Sequence, residues 1–290
     1  NQLQLLFNET IDLLSAQTAS NYSANNQLGN PESASLSADK RIVNLSFQSA
    51  FKNGISNSLT ILAVSDLSGN TTQNIQVDFL YFLAQPIHPK DIIITEIMAD
   101  PVPVVGLPEA EYIEIFNRSL NAIDLLNWTI TDGSSVAKFP TKIIQPNEFW
   151  IVHSSSSTQL NSYPNRIALA SFPSLNKSSD SIVLKSPTSI TIDSVAYSYT
   201  WYHNSDKQEG GWSLELIDLQ NICGEENNWT ASDEAKGGTP GKQNSVLANK
   251  PDLSGPQLLS IVVSHPDRLL LQFDEKLEMQ VSPTSFTLIP

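Results

Sequence analysis

Five carboxylates, Glu96, Asp100, Glu109, Glu111 and Glu114, fall close together in the chain. Hard cations such as calcium take about six to eight oxygen ligands from carboxylates and carbonyls. The loop from Asp100 to Glu109 brings several such oxygens within reach, so Asp100, Glu109 and Glu111 are the candidate metal ligands. The plainer alternative is a solvated acidic loop, with strand-face glutamates pairing Arg118 or Lys138. It is favoured because no regular calcium-loop spacing is present. Asp66, Ser68 and Asn70 invite the same question and fit a hairpin turn better, since Asp and Asn bond their own backbone. Trp201, Tyr202 and His203 form a second cluster. Aromatics on a loop stack against sugar rings or a partner's apolar patch. Trp201 and Tyr202 are therefore candidate ligand contacts, against the simpler reading that they pack beneath the segment leading to Trp212.

Catalytic patterns are missing from the sequence. There is no H-E-x-x-H, G-x-S-x-G, P-loop or dinucleotide fingerprint. Gly237 to Gly241, GGTPG, lacks the Lys and Ser/Thr of a phosphate loop. His88, His153, His203 and His265 are scattered without metal-ligand spacing, and His153 reads as a residue ending a strand. Cys223 is the single cysteine, so no intramolecular disulfide forms. No catalytic or cofactor-binding residue is assigned, and calcium is the one ion considered.

Composition narrows the partners. The net charge is -14 and Lys/Arg never cluster. Phosphate backbones need clustered cations, so nucleic acid is not an expected partner, nor is an anionic membrane surface. No apolar run reaches the ~18 residues of a membrane span, so membrane insertion is not expected either. The chain opens at Asn1-Gln2 in strand-like sequence without a signal peptide, and is expected to be an internal piece of a longer protein.

Strands must position these residues. Leu3, Leu5 and Phe7, then Val43, Leu45 and Phe47, then Leu59, Ile61 and Ala63 alternate with polar neighbours, which places one set on a buried sheet face. Ile113 and Ile115 alternate with Tyr112, Glu114 and Phe116, predicting a strand buried on one face. Turns are expected at Asn53-Gly54, Asp66 to Asn70, Asp132-Gly133 and Gly210-Gly211. Short helical turns are expected only within Glu9 to Ser20 and Ser156 to Leu160. Proline-bearing joints fall at Pro86 to Lys90 and at Asn249 to Pro256. The two ends repeat one another: QLQLLFNETI from Gln2 matches RLLLQFDEKL from Arg268, and Asn21-Tyr22-Ser23 matches Ser285-Phe286-Thr287.

Two resemblances follow. The strand, the Phe7-x-Glu9 step, the aromatic strand and Asp66 to Asn70 resemble a bacterial Ig-like module over residues 1–84. The resemblance implies an opening strand that this copy lacks. PQLLSIVVS, from Pro256 to Ser264, resembles that strand and begins a second module over 255–290. The middle is more specific. IIITEIMADP from Ile92, EAEYIEIFN from Glu109, Trp128, Thr131-Asp132-Gly133, Asp180 to Leu184, Gly211 to Glu215, Asn228-Trp229 and Gly237 to Gly241 resemble, in order, a bacterial lamin tail domain over 91–245. The long stretch Tyr197 to His203 departs from that pattern and is read as a bulged or extended hairpin.

The resemblance implies an all-β fold, an Ig-like β-sandwich lamin tail domain with partial Ig-like sandwiches at both ends. It also implies a non-catalytic structural and adhesive module of an exported or cell-surface bacterial protein, meeting proteins or polysaccharides. The alternative is an accessory region of a larger secreted hydrolase or nuclease. A weaker alternative is a calcium-dependent binding module. Strand exchange between chain ends is a further expectation, with Gln257 to Ser264 filling the open edge of residues 1–83 in the same or another chain.

Overall fold

Alternating apolar residues and frequent turn signals yield strands almost throughout. The computed structural model describes residues 1–273 together with Glu275 and Leu277. The chain divides into two units, Asn1–Gln85 and Pro86–Pro290.

The first unit holds β1 (Gln2–Leu6), α1 (Leu13–Gln17), β2 (Tyr22–Ala24), β3 (Ser33–Leu36), β4 (Ile42–Ser46), β5 (Ser56–Ile61) and β6 (Ile75–Leu80). They make two three-stranded sheets, β1-β4-β3 and β2-β5-β6. The alternation read in the sequence carries the core: Val43, Leu45, Phe47, Leu59 and Ile61 are buried together with Tyr22 and Ile11. The Asp66 turn forms as expected. Its carboxylate accepts the Ser68 and Asn70 amides, each at 2.8 Å, and the Asn70 side chain. Gly69 takes a left-handed φ of 90° at its corner. β1 has β4 on one side and lies at the edge of its sheet.

The second unit runs through β7 (Ile92–Met98), β8 (Tyr112–Asn117), β9 (Ile123–Asp124), β10 (Thr129–Thr131), β11 (Val136–Lys138), β12 (Ile143–Ile144), β13 (Phe149–Ser154), β14 (Arg166–Leu169), β15 (Ser179–Lys185), β16 (Thr191–Ser198), β17 (Leu214–Leu216), β18 (Trp229–Ala231), β19 (Leu258–His265) and β20 (Arg268–Phe273). A six-stranded sheet, β14-β13-β8-β7-β17-β18, and a four-stranded sheet, β11-β10-β15-β16, form a sandwich. Ile97, Ile113, Ile115, Leu214, Trp128, Ile130, Ile182 and Leu184 fill its interior.

One strand departs from the alternation rule. β8 is buried on both faces, and so is β7. The one-sided burial expected for Ile113 and Ile115 is corrected here. Those two face the sandwich core, while Glu114 and Tyr112 face away and are covered as well. The cover is the segment 237–246, a third layer on the outer side of the sheet, whose Thr239, Gly241, Ser245 and Val246 bond the sheet's outward-facing glutamates. The Tyr197 to His203 stretch is also corrected. Instead of an extended hairpin, Tyr199–Tyr202 winds into a 3₁₀ turn closed by His203 at φ 50°.

β19 pairs with β20, with Ile261 opposite Leu271. The Ser285-Phe286-Thr287 counterpart, with all of residues 278–290 of the expected C-terminal module (255–290), lies outside the described residues.

Candidate functional site: a covered row of glutamates

Three glutamates occupy the centres of three neighbouring strands. Glu114 and Glu215 are flanked by core-facing apolar residues, Ile113-Glu114-Ile115 and Leu214-Glu215-Leu216, so period-two alternation turns both to the outer face. In β7 the register shifts between Ile94 and Glu96, and that irregularity, with Ile94 and Ile97 both in the core, turns Glu96 to the same face. Register then aligns them, with Glu96 of β7 opposite Glu114 of β8 on one side and opposite Glu215 of β17 on the other. All three have 0% relative exposure. Adjacent strands lie about 4.8 Å apart, so the carboxyls form a close lateral row.

Donors saturate the row. Glu96 Oε1 accepts from Tyr112 Oη at 2.7 Å, Ser213 Oγ at 2.5 Å and the Thr239 amide at 2.8 Å. Glu114 accepts from Thr95 Oγ1 at 2.7 Å and the Gly241 amide at 2.8 Å. Glu215 accepts from Thr239 Oγ1 at 2.9 Å, Ser245 Oγ at 2.7 Å and the Val246 amide at 3.2 Å. Asn244 completes the seam by donating to the Thr95 and Leu216 carbonyls, at 2.8 and 2.9 Å. Burial, followed by the charge of Glu215, pushes the Glu96 carboxyl up to about 7. Burial and then Glu96 hold Glu114 well above the usual carboxylate range. Tyr112 is raised in turn, by burial first and then by Glu96, and so remains a phenol donor.

Arg118 donates to the Leu219 carbonyl, and the strand-face glutamates Glu96 and Glu114 bond hydroxyls and amides, so the expected pairing of strand-face glutamates with Arg118 or Lys138 is corrected. That reading failed because it left the outer face open to solvent. Glu215, Ser213 and Thr239 were not singled out as a site. The signal available was partial: a glutamate centred between apolar residues in β8 and β17, whereas in β7 Glu96 follows Thr95 at a register shift.

The other candidates stand apart from the row. Asp100 pairs with Lys177 Nζ at 2.8 Å. Glu111 accepts the Leu175 amide at 3.1 Å. Burial holds its carboxyl above the usual range, the Leu175 amide opposes this, and the charges of Asp100 and Asp180 add to it. Glu109 is exposed. Among the described residues, no group of three or more His, Cys, Asp or Glu is arranged to hold a metal ion. Trp201 and Tyr202 lie in the core, with Tyr202 Oη donating to the Trp212 carbonyl at 3.1 Å. One edge of Trp201 lines a cleft of about 40 Å³ with Lys90, Asp193 and Trp229. His153 is buried, its Nδ1 2.8 Å from the Ser154 carbonyl, and burial pushes its pKa down.

Asp193, on β16, carries a separate tie. It accepts from the Ile94 amide of β7 at 2.7 Å and from Lys90 Nζ at 2.5 Å, joining the two sheets. Asp193→Ala strands the buried Ile94 amide and is expected to cost about 2–4 kcal/mol. Lys90→Met keeps both backbone donors to Asp193 and is expected to cost less. Urea unfolding followed by tryptophan fluorescence checks both, because Trp128, Trp150, Trp201, Trp212 and Trp229 all lie in the second unit.

The fold and this covered row define an Ig-like β-sandwich with a polar third layer. The family model for the Lamin Tail Domain matches residues 85–199. The structure carries the same sandwich beyond residue 199, since β17 and β18 extend the β7–β8 sheet and 237–246 covers it. No curated protein matches the chain. Among solved structures, the N-terminal part of the bacterial S-layer protein SbsC is similar at 14% identity and a TM-score of 0.26, over 68% of this chain. The chain spans about 40% of the length of that S-layer chain. A DUF4876 family protein from Bacteroides thetaiotaomicron is similar at 12% identity and a TM-score of 0.31, covering 86% of this chain and 96% of that one. Among the described residues, no helix is long and apolar enough to cross a membrane.

Proposed function

We propose that this chain is a non-catalytic structural and adhesive part of an exported, surface-exposed bacterial protein, in which the lamin tail domain presents an Ig-type surface to protein or polysaccharide. The observation that carries this reading is where the reactive groups are used. The three buried glutamates of the row face backbone amides and hydroxyls of their own cover, and each serves to hold the fold closed. Fold alone does not assign function, so the test addresses location and contact directly. An antibody against the chain is expected to label intact cells of the source organism as strongly as permeabilised ones. The purified chain is expected to retain a matrix protein or wall polysaccharide, with equal retention in calcium and in chelator. Labelling only after permeabilisation, or turnover of a nucleic acid or glycan by the purified chain, overturns the reading.

A further inference from the structure

We propose that Glu96 and Glu114, within the buried row, form a proton-operated latch, which clamps residues 237–246 on the sheet while the two carboxyls are protonated and frees that segment as they ionise. Geometry carries this first. The three carboxyls lie side by side in a dry face, and every polar group bonded to them is a neutral hydroxyl or amide. The other titratable groups around the row do not supply a cation. Tyr112 and Tyr163 are phenols raised by burial, each further raised by Glu96. His153 stands opposite Tyr112 on β13 and is pushed towards its neutral form by burial. On the cover, Lys236 is exposed, and Lys242 is 63% exposed beside Glu234 at 3.9 Å.

The donor pattern points to protons rather than a metal. A metal site turns carboxylate oxygens to a common point, whereas here the oxygens are divided among separate donors on strands and cover. Ionising the row adds like charges at strand spacing with no counter-charge. Two sides of the row are held by the β-ladders, so relief by hydration must come from the third side, the cover.

The sign follows from Glu96, whose carboxyl sits at about 7 in the fold against an ordinary 4.5. Its contribution is full below the ordinary value and is lost as pH rises through about 7. Glu114, raised further, extends the loss to higher pH.

Hydrogen exchange of the whole chain at pH 5.5 and 8.5, corrected for intrinsic rates, tests the latch. Protection of the Thr239, Gly241 and Val246 amides is expected to fall about 30-fold relative to β15–β16 amides, the factor separating pH 5.5 from a carboxyl at about 7. Glu96→Gln keeps an acceptor oxygen and cannot ionise, so the fall is expected to shrink to a few-fold. Glu114→Gln is the second variant, used if the first does not fold. The proposal is overturned if wild-type protection of 237–246 does not change. It is equally overturned if β15–β16 amides fall in step, or if both Gln variants fall as far as wild type.

Discussion

Gly237→Ala is expected to destabilise the second unit by about 4 kcal/mol or more, or to prevent its folding. A Cβ at residue 237 would sit 2.1 Å from the Gly211 carbonyl oxygen, a backbone atom with no side-chain freedom to yield. Residue 237 also has a φ of 95°, where an L side chain is strained. The Gly211 backbone cannot retreat easily, because its own amide donates to the Asp100 carbonyl at 2.7 Å. The Gly237 carbonyl in turn accepts the Ser213 amide at 2.8 Å, next to the hydroxyl that bonds Glu96. Forcing this point apart lifts the start of the cover and takes donors from buried carboxylates, a change that costs several kcal/mol for a charge left without partners. Gly241→Ala is the matched control. Its φ of 79° imposes similar backbone strain, but a Cβ there meets nothing within 4 Å. It is expected to cost only about 1–2 kcal/mol. Urea midpoints by tryptophan fluorescence separate the two effects, and equal losses in both variants would place the cost in backbone strain alone.

The same three strands show how far the sequence could be read. Alternation at Ile113 and Ile115 correctly assigned the core face of β8, and the ordered series from Ile92 to Gly241 was enough to identify the family and the all-β class. Both are local signals, readable from residues two apart or from motif order. The outer face was another matter. Nothing local says that residues 237–246 return to cover Glu96 and Glu215, because the bond from Thr239 to Glu96 spans 143 positions. Without that cover, glutamates on strands look like solvated residues, which is how Glu114 was read. The telling property of Gly238 is its nearness to the row. A Cβ there would lie 2.5 Å from Glu96 Oε1 and 2.7 Å from Tyr112 Oη. The Trp201 cluster misled in a related way, since a tight 3₁₀ turn and a surface loop have similar composition. Only the turn's direction, inward against Trp229, tells them apart.

Trp201→Ala is expected to lower stability by about 3–5 kcal/mol, and any loss of ligand retention is expected to follow unfolding rather than precede it. The indole is 7% exposed and sits in the main core cluster, its ring centroid 6.4 Å from that of Trp229. Truncation removes apolar area and opens a cavity between the 3₁₀ turn and β18, where the backbone is pinned by the sheet and collapses poorly. Trp201→Phe keeps most of the volume and is expected to recover more than half of that loss. A surface contact residue behaves in the opposite way: truncation leaves the urea midpoint nearly unchanged while binding falls. Measuring midpoint and retention on the same two variants therefore decides between the readings of this aromatic cluster. Retention lost in Trp201→Ala at a urea midpoint equal to wild type would move Trp201 from the core to the ligand. Retention that tracks the folded fraction in both variants leaves it as the packing residue that anchors the 3₁₀ turn against β18.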